Sequence, residues 1–444
     1  MADDVKIFGM PAESGRWVMV IVGMVIQLCL GAIYAYGALR GSIEAFFKAP
    51  PLNLTPTPMD MTWPFIVFLA LFAITMPLAG PYIQKMGPKK VGMVGGALCG
   101  LGWIAASFAS SPTALIPLYG IIGGLGVGIA YGCPIAVSAQ WFPDKRGLAV
   151  GTTVLGFGLS SAVISYATKS MLVNLGIMDI MKIFGIAFLI ITVVFSMFLM
   201  FPPAGWKPAG WAPPAPKPGA AVKADFMRNE MTKTGTFKGL WLCYTIGALA
   251  GLTAIGIAGP VGTEVFNPIH AAEMGLPLTD PLPADSPIAK ATKDLIFLLI
   301  VPFAMVNGLA RPVFGTLTDK LGTKNTAILA FALILIACLL MYTSYGSGNA
   351  YILAFAILWA CLGGWLAIAP TATASYFGLK DNAKNYGLVF TAYGAGAVIG
   401  GIVSAQAKML LGGYKPFFLI VAVLAVLGIV VAQMLMKPPV KKGA

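Results

Sequence analysis

Two stretches of this 444-residue chain, GPYIQKMGPKK at residues 80–90 and GTLTDKLGTK at residues 315–324, are copies of one pattern. Each copy follows a long apolar run and places two glycines seven residues apart, with a polar residue and a lysine between them. The copies begin 235 residues apart (315 − 80). An aromatic pair at 141–142 recurs at 376–377 with the same offset (376 − 141). An offset shared by two separate landmarks indicates an internal duplication.

The composition places both copies in a membrane. Hydrophobic residues make up 58% of the chain, only 10% are charged, and the mean hydropathy is +0.85, whereas a soluble protein carries about a quarter charged residues. Apolar runs such as 17–39 and 417–436 have close to the ~20 residues with which a helix crosses ~30 Å of hydrocarbon. They lack the alternation of barrel strands, and lipid offers no hydrogen bonds, so we expect helices.

Twelve apolar runs predict an all-α polytopic membrane protein with two six-helix bundles. Because six is an even number, both bundles have the same orientation, as in a parallel repeat. We expect bundles at 1–202 and 238–444, joined by a Pro/Ala/Lys-rich cytoplasmic linker at 203–237 that is stiff and extended. The predicted spans are 17–39, 62–83, 91–111, 113–137, 147–169, 180–202, 238–259, 295–315, 325–345, 350–376, 385–408 and 415–437.

Basic residues predict the orientation of the chain. The loops on the side of the termini hold 20 of the 29 lysines and arginines and the opposite side holds eight, the remaining one being Arg311. The positive-inside rule therefore places both termini in the cytoplasm, with the protein in the cytoplasmic (inner) membrane. The basic loops are attracted to the anionic lipids of the cytoplasmic leaflet, which accounts for the net charge of +13. We therefore expect no nucleic-acid partner. On the outer side, the segment 260–294 is expected to be a loop that holds the single histidine, His270.

Several motifs resemble those of the major facilitator superfamily, and of its bacterial oxalate/formate antiporter and monocarboxylate transporter branch. The resemblance covers nearly the whole chain and implies a transporter with two bundles, not an enzyme. The first loop copy departs from the family pattern, since Gln84 stands where an Asp is usual, which puts the charge-mediated gating contact of that loop in doubt. The motifs are Gly80-x-x-x-Gln84-Lys85-x-Gly87 and Gly315-x-x-x-Asp319-Lys320-x-Gly322 as gating loops, 141–149 (WFPDKRGLA), Asn307-Gly308-x-x-Arg311-Pro312 and Asn385-Tyr386-Gly387.

Arg311 is the residue most informative about function. Eight residues before Asp319, it lies roughly 12 Å inside the membrane, where an isolated cation costs at least ~2.5–3.5 kcal/mol. No acid lies at comparable depth in the predicted spans, so we expect the counter-ion to be an anionic substrate, because a guanidinium matches a carboxylate bidentately. Asn307, one turn earlier on the same face, is placed to hold Arg311 or the substrate. The alternative is that Arg311 extends to the cytoplasmic surface.

The resemblance also bears on the class of anion. In the related antiporters this arginine binds the substrate carboxylate and a lysine in the eleventh span provides a second cation, but Tyr393 occupies that position here. One buried cation suits one carboxylate. We therefore expect a monocarboxylate such as lactate, pyruvate, acetate or formate, moved by alternating access, with oxalate/formate exchange as the alternative.

Aromatic residues near the middle of the spans are candidates to frame the apolar part of the anion. In this superfamily the first, fourth, seventh and tenth spans line the central cavity, which favours Tyr131 and one of Tyr34 and Tyr36. An interfacial or packing role is the alternative for each of them. Phe157 and Trp365 complete the set of candidates.

Proton coupling is expected from the resemblance, but the residue that carries the proton is open. Related monocarboxylate carriers often have an acid one turn before the arginine, where this chain has Asn307. Glu264 and Lys408 are the remaining candidates, so symport and exchange both stay possible. No cofactor or metal is expected, since the single histidine and the scattered cysteines form no ligand motif. We expect a monomer.

Overall fold

The structure, a computed structural model, describes residues 5–57, 59–212, 225–279, 282–283 and 285–440. Within these ranges it is helical apart from loops and a hairpin that pairs Lys6–Ile7 with Met10–Pro11. The long helices are α1 (Ala12–Lys48), α2 (Trp63–Met86), α3 (Pro88–Ala106), α4 (Pro112–Trp141), α5 (Arg146–Met171), α6 (Ile177–Ser196), α7 (Gly235–Met274), α8 (Pro287–Leu321), α9 (Thr323–Thr343), α10 (Gly348–Phe377), α11 (Asn382–Leu411) and α12 (Lys415–Leu435).

The helix count agrees with the predicted fold class. Eleven of the helices in the described ranges are long and apolar enough to cross a membrane. The twelfth, α3, has 19 residues and begins with Pro88, Lys89 and Lys90, which lower its mean hydropathy. Several helices are longer than the ~30 Å hydrocarbon core; the 40 residues of α7 and the 35 of α8, for example, extend for about 60 and 53 Å.

The prediction of an outer loop at 260–294 was wrong. The seventh helix continues through Pro260 to Met274 before the chain turns into α8. His270 therefore lies on a helix, half-buried, with its Nδ1 2.9 Å from the Thr292 hydroxyl of α8. The prediction ended the helix where its hydropathy falls, whereas packing against the first turns of α8 extends α7 beyond the hydrocarbon.

Two helices contain local breaks in their α-helical geometry. In α1 a 3₁₀ segment, Gly31–Ala35, separates two α-helical parts. In α4 a π-helical turn, Ile116–Ile121, and an interruption at Tyr131 divide the helix. Such irregular turns are frequent at functional sites, and both Tyr34 and Tyr131 lie at one of them.

The first six and last six helices meet along two seams, α5 against α8 and α2 against α11. Glycine permits the close approach: a Cβ added at Gly151 of α5 would lie 2.4 Å from the backbone oxygen of Arg311 in α8. The glycine-rich segments 123–128 and 394–400 also allow helices to pack closely. For example, a Cβ added at Gly126 would lie only 2.3 Å from the backbone nitrogen of Cys99. Close backbone contact of this kind is typical of membrane helices.

The described parts of the predicted linker contact both halves. After α6, Trp206 packs against Trp141 and Ala209 donates a backbone hydrogen bond to Glu13. Before α7, the backbone amide of Phe226 donates to Phe377. Residues 213–224, between these two contacts, lie outside the described ranges.

Candidate functional site

Arg311 is completely buried at the seam between the two halves. Its side chain is 0% exposed, so the alternative in which it extends to the surface was wrong. Nη1 donates to the backbone oxygen of Val154 in α5 at 2.7 Å, and Nη2 donates to Asn307 Oδ1 at 3.0 Å. Asn307 is itself fixed, because its Nδ2 donates to the backbone oxygen of Trp359 at 2.8 Å. The guanidinium also lies over the Phe157 ring, 5.5 Å from its centroid.

The charge of Arg311 has no acidic partner among the described residues. The ion pairs found there join Arg16 to Glu13 and Asp144, Lys48 to Glu44, and Lys384 to Asp381. A guanidinium carries five N–H donors. Those of Arg311 bond to Val154 and Asn307 and interact with the Tyr34 hydroxyl, while its Nε is buried without a partner. The side chain is therefore held in place and still has donors for an anion.

A continuous shell of buried aromatic rings surrounds the arginine. Phe157 packs at 5.0 Å from Tyr34 and 5.2 Å from Tyr131. Phe390 continues the shell, 5.2 Å from Tyr131 and 4.9 Å from Tyr393. Each ring in the shell is at most 9% exposed, so the centre is closed to solvent. The rings belong to Tyr34, Phe72, Tyr131 and Phe157 in the first half, and to Tyr244, Trp365, Tyr386, Phe390 and Tyr393 in the second.

The site lies at mid-membrane depth. We call the end of the molecule that carries residues 84–90 and 319–324 the repeat-loop end. From the helix termini at this end, Arg311, Tyr131, Tyr244 and Tyr393 are each about 14–17 Å along their own helices. Half of a ~30 Å hydrocarbon core is about 15 Å, so the cation and the three rings are level with the bilayer centre.

A hydrogen bond joins the two halves of the molecule at the site. The hydroxyl groups of Tyr34 and Tyr393 are 2.5 Å apart, in α1 and α11. Tyr393, at the position where the resemblance leads one to look for a lysine, thus has its phenol hydroxyl bonded to that of Tyr34. No second cation contacts this centre in the described part of the chain.

The structure brings together all seven predicted site residues. Trp365 is the most peripheral, since it reaches the shell by stacking on Tyr244 and packs over Gly247. Between Tyr34 and Tyr36, it is Tyr34 that lies in the site, because the Tyr36 hydroxyl donates to the backbone of Met61.

Four site residues were missed: Phe72, Tyr244, Tyr386 and Phe390. Tyr244 was accessible to prediction as a mid-span aromatic of the seventh span, and Tyr386 as part of the Asn-Tyr-Gly motif. Nothing in the sequence separates Phe72 and Phe390 from other apolar helix residues.

The second predicted gating loop connects the two halves. Asp319 accepts hydrogen bonds from the backbone amides of Gly147 and Leu148 at 2.8 and 2.9 Å. These amides lie in the first turn of α5, where no intrahelical acceptor exists and the helix dipole favours an anion. A Cβ at Gly315 would lie 2.0 Å from the backbone oxygen of Gly147, so the helices touch here. Lys320 is exposed, and Gly322 ends α8 with φ of 82°.

The first predicted gating loop makes a weaker contact of the same kind. Gln84 Nε2 donates to the backbone oxygen of Lys380 at 2.8 Å, which joins α2 to the start of α11 without a charge. A Cβ at Gly80 would lie 2.7 Å from the backbone oxygen of Ala383. Lys85 is exposed, and Gly87 has φ of 83°. The repeat-loop end is therefore closed by one charged and one neutral contact.

Of the remaining ionisable candidates, Glu264 lies outside this centre. Glu264 accepts a 2.5 Å hydrogen bond from Tyr345, in the loop between α9 and α10, and its negative charge helps burial to raise the pKa of that phenol. The side chain of Lys408 is outside the described part of the structure. Among the described residues, no cluster of His, Cys, Asp and Glu could hold a metal ion.

Comparisons with known proteins agree with this architecture. The Major Facilitator Superfamily family model matches residues 21–282 and 286–444. The chain is 27% identical to the oxalate:formate antiporter of Oxalobacter formigenes over 434 residues, covering 97% of this chain and 94% of that protein. It is 22% identical to apicoplast pyruvate carrier 1 of Toxoplasma gondii, over 84% of this chain and 81% of the carrier.

Two further matches concern a third of the chain and the fold of the whole chain, respectively. Monocarboxylate transporter 1 of Rattus norvegicus is 32% identical over 146 residues, which are 33% of this chain and 28% of that protein. The proton:xylose symporter XylE bound to 6-bromo-6-deoxy-D-glucose has the same fold, with a TM-score of 0.66, 13% identity and coverage of 96% of both chains. The protein is thus a multi-pass membrane transporter and not an enzyme, and the chain belongs to the Major Facilitator Superfamily.

Proposed function

We propose that this protein transports small monocarboxylates, of the lactate, pyruvate, acetate and formate class, by proton-coupled alternating access. The observation that carries the proposal is the fully buried Arg311, fixed by hydrogen bonds, with unused donors and no acidic partner among the described residues. An uncompensated cation at this depth is costly. A substrate carboxylate supplies the missing negative charge and accepts hydrogen bonds from the remaining N–H donors of Arg311.

The position of Arg311 at the seam supports alternating access. The arginine belongs to α8 in the second half, yet it donates to Val154 and lies over Phe157 in the first. A rocking motion of one half against the other changes these contacts and opens the centre to one side. Asp319 and Gln84 hold the repeat-loop end closed in the structure, so opening that end requires both contacts to break.

The aromatic shell supports a monocarboxylate over a dicarboxylate. Tyr393 has its hydroxyl bonded to Tyr34 and provides no positive charge for a second carboxylate. Oxalate/formate exchange remains the second candidate, favoured by the similarity to the oxalate:formate antiporter. The names of the apicoplast pyruvate carrier and of monocarboxylate transporter 1 are in line with the first candidate, monocarboxylate transport.

For the orientation, we propose that both termini and the repeat-loop end face the cytoplasm, with the protein in the inner membrane. The support is the excess of lysine and arginine on that side. An impermeant maleimide applied to intact cells tests this: a cysteine added after Met1 should react only after the membrane is opened. Reaction in intact cells contradicts the orientation.

The experiment that tests the function is uptake of radiolabelled L-lactate into proteoliposomes, with and without an inward proton gradient. Wild type is compared with Arg311→Ala and with Arg228→Ala, an arginine of the short helix Arg228–Met231 outside the centre. We expect gradient-driven uptake that Arg311→Ala abolishes and Arg228→Ala preserves. Absence of lactate uptake together with exchange of oxalate for formate supports oxalate/formate exchange as the function. Lactate uptake that is independent of Arg311 overturns the assignment of Arg311 as the substrate-binding residue.

A further inference from the structure

We propose that the far end of the α5–α8 seam, opposite the repeat-loop end, holds a second and transient anion site, formed by Lys169 with the hydroxyl groups of Ser165 and Thr168. The inference rests on the proposed function, because the ligand is the same carboxylate that Arg311 binds at the centre. The site gives an anion its first contact when it enters from that end. Lys169 then governs how fast the anion is captured.

The first observation is a cation that crosses the seam. Lys169 lies in the last turn of α5, and its Nζ is 4.7 Å from the centroid of the Phe297 ring of α8. The contact joins the first half of the molecule to the second. No acid forms an ion pair with Lys169 in the described part of the chain. Because the side chain is exposed, its ammonium group is open to an anion from solution.

The neighbouring charges on α8 add to the positive field at this end. The first turns of α8 carry Lys290, Lys293 and Asp294, all of them exposed. Together with Lys169 these are three positive charges and one negative charge. An excess of one sign of charge at an entrance raises the local concentration of ligands of the opposite sign and their rate of association.

The second observation is a pair of buried hydroxyl groups without partners beside this cation. Ser165, one turn before Lys169, is 5% exposed and Thr168 is 4% exposed, yet neither hydroxyl completes a hydrogen bond. A helical serine or threonine often donates to the carbonyl one turn earlier, as Thr153 does to Ala149. Buried polar groups are satisfied in most proteins. Two unsatisfied hydroxyl groups next to a cation therefore indicate a place where a ligand supplies the missing partner.

The third observation is that these groups lie on a face of α5 that leads to the central site. Phe157, Ser161, Ser165 and Lys169 follow one another at intervals of four residues, so they form one ridge along the helix. The ridge is about 18 Å long, at 1.5 Å per residue. It begins with the Phe157 ring against Arg311 and ends with Lys169, and both ends contact α8. Ser161, between them, is buried.

The chemistry of Lys169 suits a transient site. An ammonium group is a compact charge without the planar fork of a guanidinium, so it attracts a carboxylate but does not hold it bidentately. The contact of a cation with an aromatic ring at an exposed site is weak, so a carboxylate displaces the Phe297 ring and accepts hydrogen bonds from Ser165 and Thr168. Because this displacement breaks a contact between the two halves, arrival of the anion favours opening of the far end.

The test measures how fast two methanethiosulfonates of similar size, one an anionic sulfonate and one a cationic trimethylammonium compound, modify Ser165→Cys in a background without the six native cysteines. The ratio of the two rates reports the local charge, since opening of the far end affects both rates alike. The variants are Lys169→Gln and Lys169→Arg. The matched control is Lys182→Gln, because Lys182 also lies over a ring, 5.3 Å from the centroid of Phe108, but within the first half.

We expect Lys169→Gln to lower the anionic-to-cationic ratio by roughly fivefold or more, whereas Lys169→Arg and Lys182→Gln leave it unchanged. In proteoliposomes at low ionic strength, the KM for L-lactate should rise roughly three- to tenfold in Lys169→Gln while the maximal rate is unchanged. The difference in KM should disappear in about 0.5 M salt, which screens exposed charges. An unchanged maximal rate shows that the variant is folded.

Two failures are distinguishable. A rate ratio or a KM that Lys169→Gln leaves unchanged, in a protein whose lactate uptake depends on Arg311, overturns this inference and leaves the proposed function intact. Absence of Arg311-dependent uptake or binding of any monocarboxylate overturns the proposed function, and with it the assignment of Lys169 to a carboxylate.

Discussion

Arg311 Nη1 donates a 2.7 Å hydrogen bond to the backbone oxygen of Val154, which ties a buried cation of the second half to the backbone of the first. The group that is best placed to bind an anion is thus part of the contact that a rocking motion must change. An anion that takes over donors of Arg311 alters the interactions across this seam. Arg311 therefore takes part both in anion binding and in the contact that changes when the two halves move.

Replacing the tyrosine in the eleventh span should alter charge selectivity. Tyr393→Lys adds a second cation beside Arg311, so oxalate uptake into proteoliposomes should rise at least tenfold while lactate uptake falls. Tyr393→Phe is the control, because it removes the bond to Tyr34 without adding charge and should leave oxalate uptake unchanged. An unchanged oxalate-to-lactate ratio in Tyr393→Lys contradicts this role of the position.

Weakening the charged contact at the repeat-loop end should open that end. Asp319→Asn leaves one acceptor oxygen for two amides and removes the charge from the α5 terminus, where hydrogen bonds to charged groups contribute about 1.5–3 kcal/mol. We expect maleimide to label a cysteine at Thr371, buried in α10, roughly tenfold faster or more, in a background without the six native cysteines.

The control for this measurement is Asp179→Asn, an acid in the first turn of α6. It should not change the labelling rate of the cysteine at position 371. Equal rates in the Asp319→Asn and wild-type backgrounds contradict the assignment of Asp319 as a contact that holds this end closed.

Adding a methyl group at the central seam should impair both stability and transport. Gly151→Ala places a Cβ 2.4 Å from the backbone oxygen of Arg311, where backbone cannot give way cheaply. Overpacking of this kind costs about 1–3 kcal/mol, so we expect a lower Tm and at least a tenfold loss of lactate uptake. The control is Gly37→Ala, because a Cβ added at Gly37 meets open space. A wild-type Tm and wild-type lactate uptake in Gly151→Ala would contradict the close contact of α5 with α8 at this seam.

Much of the fold could be predicted because its signals are local or repeat along the chain. The duplicated loops around Gln84 and Asp319 and the long apolar runs are visible without tertiary information. Arg311 was found because a charge in an apolar run is costly. The repeat also paired the two loops, although only the structure assigns their partners, Lys380 and the amides of 147–148.

The parts that were missed depend on contacts between distant segments. Phe390 joins the site because the bundles bring it against Tyr131 and Tyr244, and its own neighbours in the sequence are ordinary apolar residues. His270 was assigned to a loop because falling hydropathy marks the end of the hydrocarbon and not the end of the helix. The helix α7 continues beyond that limit to Met274, and His270 there contacts Thr292 of α8.

The most direct test of the central claim is equilibrium binding of radiolabelled L-lactate to the purified protein at pH 7, for wild type, Arg311→Lys and Arg311→Ala. Charged, bidentate hydrogen bonds are each worth about 1.5–3 kcal/mol. We therefore expect the Kd to rise about tenfold in Arg311→Lys, which keeps the charge and loses the fork, and by at least a hundredfold in Arg311→Ala. Wild-type affinity in a folded Arg311→Ala protein would contradict the account, because the carboxylate then binds elsewhere.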